Sequence, residues 1–493
     1  MAVRLSKSKL MAAFQCERRL WLEVHQPELA ELSAAARAAF ATGHEVGDVA
    51  RALYSARFGN GPTLEYAGGL REALAATKRL LADPADQRPI YEATFQHQGI
   101  LVRLDVLLRE PAGVRLIEVK SSTGLKPEHV TDCAIQTWVA RGAGLDVRKV
   151  LLAHVNNRFV YPGGGDYQGL LVEQDISSEV MAQQAEVPRW LASAQAVAAG
   201  RHEPAVRPGK RCVTPYECPF MAHCWPGDAV YPVHALGGDR ELLGRFLAAG
   251  FRDLRDIPAE QLTRADHRRI HTATRAGAPE LAPEAGRFLA AQGYPRYFLD
   301  FETIALAVPV FPGTRPYETL PFQFSCHVLH ADGRTEHRSH LDLSGEEPSR
   351  QCAEALLARL DGTGPVFVYT SYEQRVIESL AGRFPDLAAG LQAIVNRLVD
   401  LHPVAKKHFY HPDMLGSWSL KKLLPVIAPD LRYAAGEIQD GNAASAAWLE
   451  AQQPETAPAR RAALAAELTR YCALDTEGLI RITHHFSSTL DLV

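Results

Sequence analysis

Three sets of residues have the types and spacing to do chemistry. In RLDVLLREPAGVRLIEVK, Asp105, Glu118 and Lys120 lie on two apolar runs joined by a turn at Glu110 to Gly113. With that turn centred between Pro111 and Ala112, Asp105 and Glu118 share a midpoint and face each other across an antiparallel pair, their α-carbons ~5 Å apart. Facing carboxylates destabilise a sheet unless a cation lies between them, and Mg2+ or Mn2+ fits such oxygen donors. Lys120, two residues on, shares the face of Glu118 and can steer a water toward a phosphate. In YFLDFET, Asp300 and Glu302 share one face of an apolar strand, a costly position for acids that bind no metal. In ELTRYCALDTEGL, Tyr471 and Asp475 are one helical turn apart. The third set is C-x5-C-x5-C at Cys212, Cys218 and Cys224, which lacks the close cysteine pairs of a zinc ribbon. Cys16 in QCERRLW is the fourth thiolate, and zinc in these four thiolates is the alternative to an iron–sulfur cluster. Cys133, Cys326, Cys352 and Cys472 sit in apolar stretches and read as core.

The D-x12-E-x-K pattern resembles the PD-(D/E)xK nucleases, in particular the RecB-like branch. That resemblance implies a helix-borne histidine completing the metal shell, here His44 in GHEVGDVARALY, and a Q-x3-Y motif after the lysine strand. Gln136 in CAIQTWVARG supplies the glutamine, and Ala140 stands at the tyrosine position. One N-terminal and three C-terminal cysteines resemble the [4Fe-4S] staple of RecB-like nucleases in the AddB and CRISPR-associated exonuclease families. D-x-E followed late in the chain by Y-x3-D is similar to DnaQ-like DEDD exonucleases of the Tyr subclass, which use a ribonuclease H-like fold. There two divalent ions bridge four acids and the tyrosine, here Tyr471, orients the attacking water. The second-motif acid is Glu373 in VFVYTSYEQRVIESL, where the family has Asp; Asp400 reads as a supporting acid. The whole chain resembles a bacterial family that joins an iron–sulfur RecB-like nuclease domain to a DnaQ-like exonuclease domain.

These residues need elements to hold them. Periodicity predicts helices over 6–24, 32–55, 68–82, 126–142 and 177–199, with strands at YEATFQ, ILVRLDVLL, VRLIEVKSS, VLLAHV and GLLVEQDI. Short helices broken by Gly and Pro fill 230–295, similar to a helix-hairpin-helix. A three-strand meander follows from YFLDFET to TEHRSHLDL, then strand PVFVYT and helices near 349–360, 373–384 and 458–488. The fold class expected is α/β multidomain: a PD-(D/E)xK restriction-endonuclease-like domain over 1–228, a helical bridge over 229–295 and an RNase H-like domain over 296–493.

At roughly 150 residues per domain, 493 residues also suggest about three domains. Hydrophobic residues at 47% and charged residues at 22% exclude wholesale disorder and fibrous repeats. A net charge of -4 gives no general attraction for polyanions, so nucleic acid must be held by local patches. Candidates are Arg207, Lys210 and Arg211 before the cysteines, and Lys406, Lys407, Lys421 and Lys422 near His408 and Trp418. RADHRRIHTATR, with four Arg against one Asp, is a further basic stretch. The first residues lack a signal-peptide core and no apolar run is long enough for a membrane span. A cytoplasmic protein with reduced, metal-binding cysteines is expected. The reading is a Mg2+- or Mn2+-dependent nuclease with two phosphodiester-hydrolysing sites, acting on DNA ends or single strands in repair, recombination or defence, with repair or defence proteins as partners. The alternatives are a nucleic-acid-binding iron–sulfur scaffold with one or both nuclease sites inactive, and an RNA exonuclease using only the C-terminal site.

Overall fold

The computed structural model describes residues 4–64, 69–83, 85–225, 227–431, 436 and 438–488. The chain is a mixed α/β protein of two compact units: Met1–Pro226 with Leu306–Tyr317, and Gly227–Ala305 with Glu318–Val493. The helical stretch expected as a bridge therefore packs into the second unit. No described helix is long and apolar enough to cross a membrane.

In the first unit, β1 (Leu5–Ser6), β2 (Ile90–His97), β3 (Ile100–Glu110), β4 (Gly113–Lys120), β5 (Val147–Val155) and β6 (Leu171–Asp175) form a sheet of order β1-β3-β4-β5-β6, with β2 also paired to β3. The β3–β4 ladder pairs Glu110 with Gly113 and Val106 with Ile117, the expected register, which sets Asp105 opposite Glu118 one step beyond. β4 runs parallel to β5. A parallel pair needs a crossover, and α5 (Pro127–Gly142) supplies it, burying Ile135 and Val139 among Leu104, Leu116 and Leu152.

The single helix expected over 6–24 is two, α1 (Lys7–Gln15) and α2 (Glu17–His25). Cys16 between them is extended, φ -166° and ψ 123°. Its N–H closes α1 on the Ala12 carbonyl, and its own carbonyl accepts from Leu20 to open α2. α3 (Ala34–Phe58) and α4 (Gly69–Leu81) follow. The helix expected over 177–199 divides into α6 (Ser177–Ala182) and α7 (Val187–Ala199), because Pro188 lacks an N–H and suits a first turn. α8 (Met221–Cys224) ends the cysteine segment. Leu306–Tyr317 belongs here: Ala307 and Val308 pack with Val46 and Phe159, and the Tyr317 hydroxyl donates to the Ser121 carbonyl.

The second unit opens with α9 (Arg240–Ala248), α10 (Ala265–Ala276), β7 (Glu280–Leu281) and α11 (Glu284–Ala290). Its sheet is built from β8 (Arg296–Ile304), β9 (Leu320–Leu329), β10 (Thr335–Leu341), β11 (Val366–Val368) and β12 (Leu398–Asp400), in order β10-β9-β8-β11-β12. The first three strands are the antiparallel meander, and β11 and β12 add parallel to β8. Between them lie α12 (Ser349–Arg359), α13 (Tyr372–Arg383) and α14 (Ala388–Val395). α15 (Leu401–His408), β13 (Phe409–Tyr410, paired to β7), α16 (Leu420–Ile427), α17 (Gly441–Gln452) and α18 (Pro458–Ser487) complete the chain.

Alternation along β8 divides its side chains between two faces. Tyr297, Leu299 and Phe301 enter the core with Leu356 and Ile377, leaving Asp300 and Glu302 on the opposite face. β9 presents polar residues there too, and they fix α18: Gln323 donates to the Leu468 carbonyl at 2.9 Å, while Ser325 and His327 each meet the Thr476 hydroxyl at 2.8 Å.

Candidate metal centres and cysteine cluster

In the second unit four acids from three elements share one site. Asp300 and Glu302 come from β8, Asp475 from the α18 face just described, and Glu373 from the first turn of α13. The turn into α13 is strained, since Thr370 is β-branched and has φ +88°. It is held by the Thr370 N–H donating to Asp400 Oδ1 at 2.9 Å and by Tyr372 Oη against Thr303 Oγ1 at 2.5 Å. Asp400, with Oδ1 also accepting from His402 at 2.9 Å, is an N-cap beside Glu373.

Burial, reinforced by Asp475, Glu302 and Glu373, pushes Asp300 well above the usual carboxylate range. Glu302 is pushed up to about 8 by burial and Asp475, partly offset by Lys421. Glu373 is pushed up to about 8 by burial, with Asp400 and Asp475 adding to it. Glu373 Oε2 is buried without a hydrogen-bond partner. Ligand atoms of Asp300, Glu302 and Cys472 lie within 4.8 Å of one another, close enough to hold one ion. The oxygen-rich set fits a hard divalent cation. Burial and Asp475 keep the Tyr471 phenol protonated. Cys472, expected as core, is buried but directs its thiol at Asp300, 3.7 Å from Oδ2. Its apolar neighbours gave no sign of this.

In the first unit Asp105, Glu118, Lys120 and His44 line one cavity of about 460 Å³. Lys120 Nζ lies 2.6 Å from Glu118 Oε1, as their shared face requires, and Gln136 Nε2 donates to Glu118 Oε2 at 2.7 Å. Two partners were not anticipated. Lys7, at the start of α1, reaches Glu118 at 3.1 Å and Asp132 at 2.9 Å, and Asp132 also takes Lys120 at 2.8 Å. Asp132 is one turn before Gln136 on α5, a D-x3-Q spacing that could have marked it. Lys7 carries no local signal. Burial opposes charge on Lys7 and on Asp132, but their attraction outweighs it, raising the lysine and lowering the acid. Asp105 is pushed up to about 7 by burial and Glu118, and its Oδ2 accepts from the Val119 N–H at 2.8 Å. Its other oxygen and exposed His44 fit a cation here alongside Glu118.

Cys16, Cys212, Cys218 and Cys224 line one small cavity of about 20 Å³. The extended Cys16 between α1 and α2 and the turn in which the Cys218 N–H bonds the Cys212 carbonyl bring them together. Burial raises Cys218, and raises Cys224 up to about 12. Four sulfurs with no carboxylate fit a soft metal or an iron–sulfur cluster. Arg18, Arg19, Arg207 and Arg211 line the same cavity and would offset the charge of the bound thiolates.

Arg207 and Arg211 thus face the cysteines, with Lys210 exposed beside them. Lys406 and Lys421 line a cavity beside Asp475; Lys407 and Lys422 are exposed outside its lining. Trp418 is no open stacking platform: it is 8% exposed, and its indole N–H donates to the Phe409 carbonyl at 2.8 Å.

Residues 297–419 match a family described as a domain of unknown function (DUF2779), a stretch holding Asp300, Glu302, Glu373 and Asp400. No curated protein matches the chain. No solved structure matches it.

Proposed function

We propose that the protein is a metal-dependent nuclease hydrolysing phosphodiester bonds in DNA ends or single strands. Its second unit would be an RNase H-like exonuclease domain and its first a PD-(D/E)xK domain stapled by a [4Fe-4S] cluster on Cys16, Cys212, Cys218 and Cys224. The observation that carries the reading is the convergence of Asp300, Glu302, Glu373 and Asp475, three of them driven toward protonation by burial and by one another. Such density is costly unless cations bind, and it is what two-metal hydrolysis needs. Bound Mg2+ or Mn2+ would activate water and offset charge on the entering and leaving oxygens. Tyr471, protonated and one turn from Asp475, would donate a hydrogen bond to the attacking water. At the first site Asp105, Glu118 and His44 would hold the ion, Lys120 would face the phosphate, and Gln136 would fix Glu118.

One observation favours a second reading, in which only the C-terminal site cleaves. Both oxygens of Glu118 already accept bonds, one from Lys7 and Lys120 and the other from Gln136. Such a carboxylate is neutralised without a metal.

Asp105→Ala and Asp300→Ala proteins, assayed with Mg2+ or Mn2+ on end-labelled single and double strands, test both. Loss in each protein of a distinct part of the activity is expected; loss only in Asp300→Ala selects the second reading. Full activity in both proteins sinks the nuclease assignment. A brown preparation bleached by dithionite is expected for the cluster, and a colourless one carrying stoichiometric zinc counts against it.

A further inference from the structure

The second unit holds a cavity of about 680 Å³ whose lining includes Asp475. This is within the ~300–1,000 Å³ of small-ligand sites and is nucleotide-sized. One wall comes from the C-terminal part of the unit, with Lys406 and Lys421; the other comes from the helical stretch after Gly227, with Gly237, Gly238 and Arg264. The two walls meet backbone to backbone. Gly416 has φ +72°, and a Cβ there would lie 1.7 Å from the Ala235 carbonyl oxygen. Gly237 and Gly238 also have positive φ, +69° and +76°, so the chain turns tightly at the rim. His267 of α10 fixes this turn by meeting the Gly237 carbonyl at 3.1 Å.

The cavity lining carries both signs of charge: Asp475 of the acid cluster is part of it, together with Arg264, Lys406 and Lys421. The one other acid among the described lining residues, Asp266, pairs with Arg264 at 2.6 and 2.9 Å and holds the guanidinium, which is 49% exposed, in place. Arg268 and Arg269 of the same helix are occupied elsewhere, on the Leu262 carbonyl and on Glu280.

Resting on the nuclease reading of the C-terminal site, we infer that the helical stretch is part of that site: Arg264, which lines the same cavity as Lys406, holds the backbone phosphates of a single nucleic-acid strand whose end lies at Asp475. Arg264 is thus a positioning residue for the strand, and the stretch is a wall of the substrate channel. A phosphodiester chain is the shared chemistry of DNA and RNA, so both belong in the test.

The experiment uses the full chain with Asp105→Ala to silence the first site. Steady-state hydrolysis of end-labelled single-stranded DNA and RNA is measured over a range of salt, for Arg264→Ala, Arg264→Lys, Lys406→Ala and, as a control of equal charge outside the cavity lining, Arg334→Ala in the exposed turn between β9 and β10. For Arg264→Ala we expect KM to rise about tenfold with kcat little changed, as for loss of one charged hydrogen bond. The salt dependence of log KM should fall by about one counterion. Arg264→Lys should recover most of the affinity, Lys406→Ala should weaken it likewise, and Arg334→Ala should match its parent. Dependence on Arg264 with DNA, RNA or both supports the proposal and assigns the sugar. An unchanged KM and salt slope in folded Arg264→Ala overturns it while the nuclease reading stands. If Arg264→Ala does not fold, an unchanged KM and salt slope in Lys406→Ala overturns it. If the Asp105→Ala parent degrades neither strand, the reading beneath it fails as well.

Discussion

Glu118 and Glu373 are both deeply buried, 4% and 3% exposed, but their surroundings differ in kind. Glu118 is answered by two lysines and an amide, so the protein has already met the cost of its charge. Glu373 is not: Oε2 has no partner, and its nearest charges include Asp400 and Asp475. A buried charge left so is retained for what it binds, at the expense of stability. Replacing it should expose the trade. In metal-free protein at pH 8, Glu373→Gln is expected to raise stability to urea by about 1–3 kcal/mol, the scale of one or two pKa units of relieved strain. It should also cut C-terminal hydrolysis by about 100-fold or more. Equilibrium urea curves in chelator check the first and strand degradation the second. A metal-free variant less stable than its parent would mean that Glu373 has a structural partner after all.

At the scale of elements, backbone contact positions the walls around Asp475. Gly416 and Gly277 both have positive φ, +72° and +64°, but only Gly416 is pressed against other backbone; a Cβ at Gly277 would meet nothing within 4 Å. Gly277→Ala should cost about 1 kcal/mol from φ alone, and Gly416→Ala about 2–4 kcal/mol because the turn at Ala235 must also move. Denaturation of the two variants separates these causes, and equal losses would contradict the account. Elements also decide what was legible. The Asp105–Glu118 pairing could be computed because a hairpin fixes its partners by arithmetic, and the D-x-E and Y-x3-D pairs because faces follow from period. Lys7 could not, since it reaches Glu118 only after β1 pairs parallel with β3, residues 5 and 6 beside 100 and 101. The break at Cys16 was hidden because ERRLW continues a helical pattern on the far side. Cys472 is buried as expected, but its place beside Asp300 was not legible, because an apolar neighbourhood suits a core thiol and a thiol facing an acid equally well.

Across the whole molecule, the net charge of -4 conceals acids concentrated at two sites. Those acids make metal-free stability depend on pH in a definite direction. Asp105 is pushed up to about 7, Glu302 and Glu373 up to about 8, and Asp300 is also raised. Where the folded pKa exceeds the unfolded value of ~4, the native state binds more protons, so stability falls as pH rises. The favourable contribution is complete below about pH 4 and lost as pH passes through about 8. Asp132 is shifted downward, so its opposing effect is confined to pH below the ordinary carboxylate range and does not mask the trend. Burial lowers several histidines, among them His267, His271, His327, His337 and His340, and their opposing gain in stability with pH is complete by about pH 7; in chelator, the melting temperature should therefore decline from pH 7 to 8.5. Mg2+ or Mn2+ well above its dissociation constant should recover much of the loss, about 2.7 kcal/mol at a hundredfold excess, and more at high pH, where the ligands are deprotonated. Glu302→Gln with Glu373→Gln should flatten the chelator curve and shrink the response to metal. A melting temperature that holds level or climbs over this range in chelator would show that the acids are neutralised from within the fold, and the case for bound cations at Asp300 would fall with it.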